Sequence, residues 1–176
     1  MTAEDATTVA KWMDAWMMVP KAPGGRLELG RFADPIYFLG QPISWQPNPG
    51  QLFAAVTVPT GFVTDFASIP AIFWSYLRPD GKYAYAAIVH DYLYWMQQRP
   101  REEADQILKF AMQDFNINSA TVLAIYEAVH LFGGSAWRNN ADLKARGEKR
   151  ILKPEKWPED PRVTWAEWKK RPDVFA

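Results

Sequence analysis

The sequence predicts an α+β fold: a small antiparallel sheet over about residues 26–66 packed against a predominantly helical half over about 68–140. An amphipathic helix over residues 1–20 precedes this domain, and an extended arm over 141–176 follows it. Three observations carry the prediction. Between Pro20 and Pro59 the chain is punctuated by Gly24, Gly25, Gly30, Pro35, Gly40, Pro42, Pro47, Pro49 and Gly50, which suits short strands and turns. From Ser68 onward the apolar spacing becomes helical. At the start, Val9, Trp12, Met13, Trp16 and Met17 recur at helical spacing until Pro20 ends the pattern.

Each element has a local reason. Pro35 to Ser44 and Leu52 to Val58 carry β-branched and aromatic residues, and Asn48-Pro49-Gly50 between them reads as a turn joining antiparallel partners. Ser68 caps a short helix with Pro70 in its first turn and Ile69, Ile72, Phe73 and Tyr76 inward, stopped by Pro79-Asp80-Gly81. A second helix over about 82–97 aligns Tyr83, Ala86, Ala87, His90, Leu93 and Tyr94 on one side and closes at Pro100. A third over about 101–115 contains Ala104, Ile107, Leu108, Ala111 and Met112, with Asp105 one turn inside its N-terminus, where the helix dipole favours an acid. A fourth over about 118–132 opens at the caps Asn118 and Ser119 and ends at Gly133-Gly134, with His130 near its C-terminus; helix then continues to about Arg150.

Composition bounds the function. A hydrophobic content of 48% over 176 residues is ample for one core and excludes a disordered chain. Twenty basic and twenty acidic residues cancel, so no global field draws the protein to nucleic acid. Zero cysteines removes disulfides, thiolate metal sites and cysteine nucleophiles. Neither a signal peptide nor a membrane span is expected. Residues after Asn140 hold ten Lys and Arg against seven acids, net +3, with Trp157, Trp165 and Trp168 alternating with Pro154, Pro158, Pro161 and Pro172. That segment reads as an arm with aromatic anchors for a partner, as do Trp12 and Trp16 of the first helix.

The reactive residues concentrate in two motifs, Gly-Phe-x-Thr-Asp-x-Ala-Ser-x-Pro at 61–70 and His-Asp-x-Leu-Tyr at 90–94. With Ala-Asp at 104–105 and Phe132-Gly133, these resemble domain-of-unknown-function family 1353, whose members occur largely in bacteriophages and prophages. The resemblance covers about residues 30–137. It implies a phage or prophage origin, with other phage proteins as partners and the virion or the host cytoplasm during assembly as location, and it supplies no reaction.

Three chemical readings fit the motif residues. Asp65, His90, Asp91 and Asp105 are the set that would hold a divalent metal, Mg or Ca ahead of Zn because the chain has only two histidines, and activate water. Consecutive His-Asp ligands occur in metal-dependent phosphohydrolases, but those also use an upstream His, and His90 is the first histidine here. Alternatively Ser68 is a nucleophile with His90 as base and Asp65, Asp91 or Asp105 orienting it, although no Gly-x-Ser-x-Gly elbow surrounds it. In the structural reading Asp65 bonds backbone amides of its own turn, Ser68 caps a helix, and His90 with Asp91 pins the Thr64–Pro70 loop to the helix. Tyr83, Tyr85, Tyr92, Tyr94, Trp95 and Trp137 read as core before they read as groove. The sequence thus places a virion or assembly component of the tail or head-tail region first, and a metal-dependent hydrolase, acting on bacterial cell wall, second.

Overall fold

The computed structural model describes residues 24–66 and 83–176, and the α+β expectation holds in them. The helices expected over 1–20 and from Ser68 to Pro79, with Trp12 and Trp16, lie outside the described residues. Among the described residues, five short strands form two antiparallel sheets. β1 (Leu29–Arg31), β2 (Tyr37–Leu39) and β5 (Val63–Thr64) make one in the order β1-β2-β5, pairing Gly30 with Phe38 and Phe38 with Val63. β3 (Ile43–Trp45) and β4 (Val56–Val58) make the other, pairing Ser44 with Thr57. The strand expected over 35–44 is therefore two strands in different sheets, broken at Gly40-Gln41-Pro42, where proline removes a ladder donor. The turn at Asn48-Pro49-Gly50 is present, with Gly50 in the left-handed region at φ +88°.

The helical half comprises α1 (Tyr83–Met96), α2 (Arg101–Asp114), α3 (Ser119–Phe132), α4 (Gly134–Ala145) and the short α5 (Trp165–Trp168). α1 is the hub of the packing. Its sequence is apolar all round, and every residue from Ala84 to Trp95 except Tyr85 and Tyr92 is buried, as expected of a helix enclosed on all sides. It touches α2, α4, β3, β4 and β5. α2 buries the stripe Ala104, Ile107, Leu108, Ala111 and Met112, and α3 starts as expected, with Asn118 Oδ1 accepting from the Ala120 amide at 2.9 Å. Gly133-Gly134 is a corner between two helices, since Gly133 itself is helical at φ −65° and ψ −17°, and α4 ends at Ala145, short of Arg150.

The first sheet is apolar on both faces because both are covered. Leu39 and Phe62 face α1, while Phe38 and Val63 face a second core completed by Phe32, Leu152, Trp165, Val174 and Phe175. The residues after Ile151 thus fold back over the sheet. Val63 N donates to Arg150 O at 2.8 Å, Leu152 N to Gly61 O at 2.9 Å, and Trp165 N to Asp34 Oδ1 at 2.9 Å. Gly61 makes this possible: it sits at φ +80°, and a Cβ there would overlap the carbonyl of Leu152.

The expected arm with Trp anchors for a partner is corrected at its centre. Trp165 is 5% exposed and packs edge-on against Phe32 at 5.4 Å and Phe175 at 5.9 Å, within its own chain. Trp157 lies against Phe38, and Trp168 is half-buried against the same core. The physical reason is that the outer face of β2 needs an apolar cover, which the tryptophans supply together with Leu152, Val174 and Phe175. Trp165→Ala should destabilise the folded protein by about 3–5 kcal/mol, read as a lowered urea midpoint with near-UV loss; an unchanged midpoint would show that the segment does not pack on the sheet.

Candidate active site

Proline at position 100 ends the α1 pattern and lets α2 return beside it, which places α1 residues spaced four apart opposite the first turn of α2. There Asp105 is buried and heavily bonded. Its Oδ1 accepts from the Tyr94 hydroxyl at 2.6 Å and lies 3.0 Å from His90 Nε2, while its Oδ2 accepts from Arg101 Nη1 at 3.0 Å. His90 and Tyr94 are one turn apart on α1 with ring centroids 4.1 Å apart, and Arg101 and Asp105 are one turn apart on α2. Arg101 Nη1 also donates to His130 O at 3.0 Å, tying the end of α3 to the same group.

His130 Nδ1 stands 3.7 Å from Asp105 Oδ2, beyond hydrogen-bond distance, and is buried without a hydrogen-bond partner, while the ring is 40% exposed and stacks on Tyr126. Trp137 packs edge-on against Tyr94, and a Cβ on Gly133 would overlap the Tyr94 hydroxyl. The glycine at the α3–α4 corner therefore leaves the space in which Tyr94 reaches Asp105.

Burial pushes the Asp105 carboxyl up, but the hydrogen bond and charge of His90, the Tyr94 hydroxyl and the Arg101 guanidinium outweigh it and hold the group below its ordinary value. Burial, then the bond to Asp105 and its negative charge, raise Tyr94 far above the ordinary tyrosine value, so it serves as a neutral donor. A carboxylate only accepts, so in the neutral ring His90 carries its proton on the Nε2 that faces Asp105.

The other motif residues go elsewhere. Asp91 Oδ2 accepts from the Thr64 hydroxyl, and Thr64 Oγ1 accepts from Phe66 N at 3.3 Å, so the end of β5 is tied to α1 through Asp91, while residues 67–70 of the expected loop lie outside the described residues. Phe66 follows at φ +56°, a left-handed conformation costly for an aromatic residue. Asp65 Oδ2 lies 3.7 Å from Arg150 Nη2, on the side of the C-terminal segment. Ser68 lies outside the described residues. The four expected metal ligands accordingly do not converge: His90 and Asp105 bond each other, while Asp91 and Asp65 meet Thr64 and Arg150. Among the described residues no group of three or more His, Asp or Glu is placed to hold a metal ion. Tyr94, Arg101, His130 and Gly133 complete the constellation. The i, i+4 spacings of the first two were the available signals.

The fold and this constellation define an α+β protein with a buried imidazole–carboxylate dyad carried on two adjacent helices. The family model described as Protein of unknown function (DUF1353) matches residues 40–129, half of the chain, and the chain belongs to that family. That span holds His90, Tyr94, Arg101 and Asp105 but not the C-terminal segment. The chain is 29% identical over 110 residues to the uncharacterized protein y4jT of Sinorhizobium fredii (strain NBRC 101917 / NGR234), a match that covers 59% of this chain and 32% of that protein. The chain thus spans about a third of that relative. No solved structure matches. Among the described residues no helix is long and apolar enough to cross a membrane.

Asp105→Asn should cost about 3–5 kcal/mol, because it strands buried donors. A carboxyl whose folded pKa is depressed stabilises the protein above its unfolded pKa of about 3.9, and that stability is lost as pH falls through the lower folded value. Urea midpoints between about pH 3 and pH 7 should therefore fall on the acid side in the wild type and be flatter in Asp105→Asn. Parallel profiles would contradict a depressed Asp105.

Proposed function

We propose that the chain is a hydrolase in which His90, oriented by Asp105, acts as general base on water. The observation that supports this reading is the placement of Asp105 on Nε2 of a buried His90, with Tyr94 and Arg101 holding the carboxylate. A buried ionic cluster is no better for stability than well-packed apolar groups of similar volume, and such clusters gather at sites of chemistry. In the reaction the imidazole takes a proton as the water oxygen attacks an acyl carbon, Asp105 stabilises the imidazolium that forms, and the proton then passes to the leaving alcohol or amine as the acyl C–O or C–N bond breaks. Tyr94 and Arg101 stay neutral and cationic, respectively, and position the carboxylate. An ester or amide bond is the matching substrate class. Bacterial cell wall is the first to try, given the phage setting that the motif resemblance implies.

His90→Asn and Asp105→Asn should each lower turnover by about 10²- to 10⁴-fold on whichever ester, peptide or cell-wall substrate the wild type cleaves, with KM nearly unchanged and circular dichroism reporting a folded chain. A wild type inert on all three classes, or turnover unaffected by His90→Asn, overturns the proposal. Repeating the assay after chelation distinguishes the metal-dependent form of the reading, which requires turnover to vanish and return with the added cation.

A second reading, a virion or assembly component working through protein contacts, draws on one observation. Leu131 and Phe132, adjacent at the end of α3, are each 68% exposed, and exposed apolar pairs of this size suit a partner surface. Under this reading the wild type sediments as an assembly, or binds another phage chain, and Leu131→Lys with Phe132→Lys returns it to a monomer. A wild type that is already monomeric and binds none of the neighbouring phage chains would remove the reading.

A further inference from the structure

The turn after α4 creates a feature unrelated to the dyad. Gly147, at φ +87°, closes the helix in a left-handed cap, its amide donating to Lys144 O at 2.9 Å and that of Glu148 to Leu143 O at 3.0 Å. The chain then reverses so that Lys149 and Arg150 stand beside Lys144 and Arg146 of the helix end. Two adjoining cavities open around this turn, of about 360 and 300 Å³, sharing Gly147, Glu148 and Lys149 in their walls. The first is floored by Trp95 and adds Lys144 and Arg150; the second adds Arg146, Lys169 and Lys170. Six cationic side chains therefore face the pair of cavities against one acidic side chain, Glu148.

Glu148 offsets only part of this charge, through ion pairs with Lys169 and Arg150. Its carboxylate is held by Lys169 at 2.7 Å and stands 3.8 Å from Arg150 Nε, beyond hydrogen-bond distance. Asp65, at 3.7 Å from Arg150 Nη2, forms an ion pair with the same guanidinium from outside the cavity walls and, among the described residues, leaves Lys144, Arg146, Lys149 and Lys170 without a carboxylate between them and the cavities. Arg150 lies with its guanidinium 4.8 Å from the Trp95 ring centroid, and its Nε is buried with no acceptor. A buried donor without an acceptor is costly, and a cleft lined by one sign of charge over a low-dielectric floor concentrates counter-ions. The cations at the end of α4 also answer the helix dipole, but that accounts for Lys144 and Arg146 and not for Lys149, Arg150, Lys169 or Lys170.

We propose that the double cavity binds a small, multiply charged anion, a ligand bearing two or more phosphate or carboxylate groups. One group accepts from Arg150 above Trp95, with Lys144 beside it, and the other sits among Lys149, Lys169 and Lys170. Guanidinium and ammonium groups suit both anion types, so the chemistry is shared and the experiment separates the sources. The inference uses none of the dyad residues, and it stands or falls apart from the hydrolase reading.

The test is isothermal titration of the full chain with pyrophosphate and with citrate at constant ionic strength, with sodium chloride as control, and with thermal melts alongside. Saturable one-to-one binding is expected, with a rise in melting temperature that sodium chloride does not give. The exposed Lys149, shared by both cavities, is the variant of choice: Lys149→Glu should weaken binding by about tenfold or more without changing the ligand-free melt. Tighter pyrophosphate identifies a phosphate ligand, and tighter citrate a carboxylate ligand. Absence of saturable binding by both anions, or equal binding by Lys149→Glu, overturns the proposal.

Discussion

One buried carboxylate organises the helical half of this protein. Asp105 cannot sit without exposure unless donors surround it, and it takes them from two helices, His90 and Tyr94 from α1 and Arg101 from the first turn of α2, while Arg101 also donates to the His130 carbonyl near the end of α3. The helix crossing, the tautomer of His90 and the space left by Gly133 are consequences of satisfying that group. The chemistry proposed for His90 rests on the same carboxylate, which orients the ring through Nε2.

The sheet obeys a different constraint. β2 alternates Tyr37, Phe38 and Leu39, apolar on both sides, so it is stable only with cover on both faces. α1 supplies one cover and the segment after Ile151 the other. Because that segment passes Gly61 and is bonded to Val63, it fixes the same loop whose Thr64 bonds Asp91 on α1. The basic double cavity arises where this returning chain leaves α4, which places Lys144, Lys149 and Arg150 around Trp95 and Arg146, Lys169 and Lys170 in the adjoining cavity, without involving the dyad.

Much of this was legible in the sequence, and the remainder was hidden for identifiable reasons. Periodicity and caps located α1, α2 and α3 within a residue or two, since Pro100, Asn118 and the apolar stripes are local signals. The Asn48-Pro49-Gly50 turn was equally local. Gly133-Gly134 ends α3 as expected and helix continues after it, but that the pair is a corner under the Tyr94 hydroxyl, and that α4 stops at Ala145, were not readable from local signals. The pairing of His90 with Asp105 spans fifteen residues and a chain reversal, so spacing alone gave a shared cluster but not who bonds whom. Asp114 shows the same limit: it joins the end of α2 to Trp45, Asn48 and Gln51 across more than sixty residues, contacts that tertiary packing alone creates. The C-terminal tryptophans looked like anchors for a partner, and nothing local said that Trp165 packs on the chain's own sheet.

The most direct test of the central claim is the proton position on His90, read by long-range ¹⁵N–¹H correlation of the two histidine rings, with His130→Asn supplying the assignment. The account predicts that in the neutral ring Nε2 is protonated and Nδ1 is not, and that Asp105→Asn abolishes this preference. A proton on Nδ1, or a tautomer indifferent to Asp105→Asn, would contradict it.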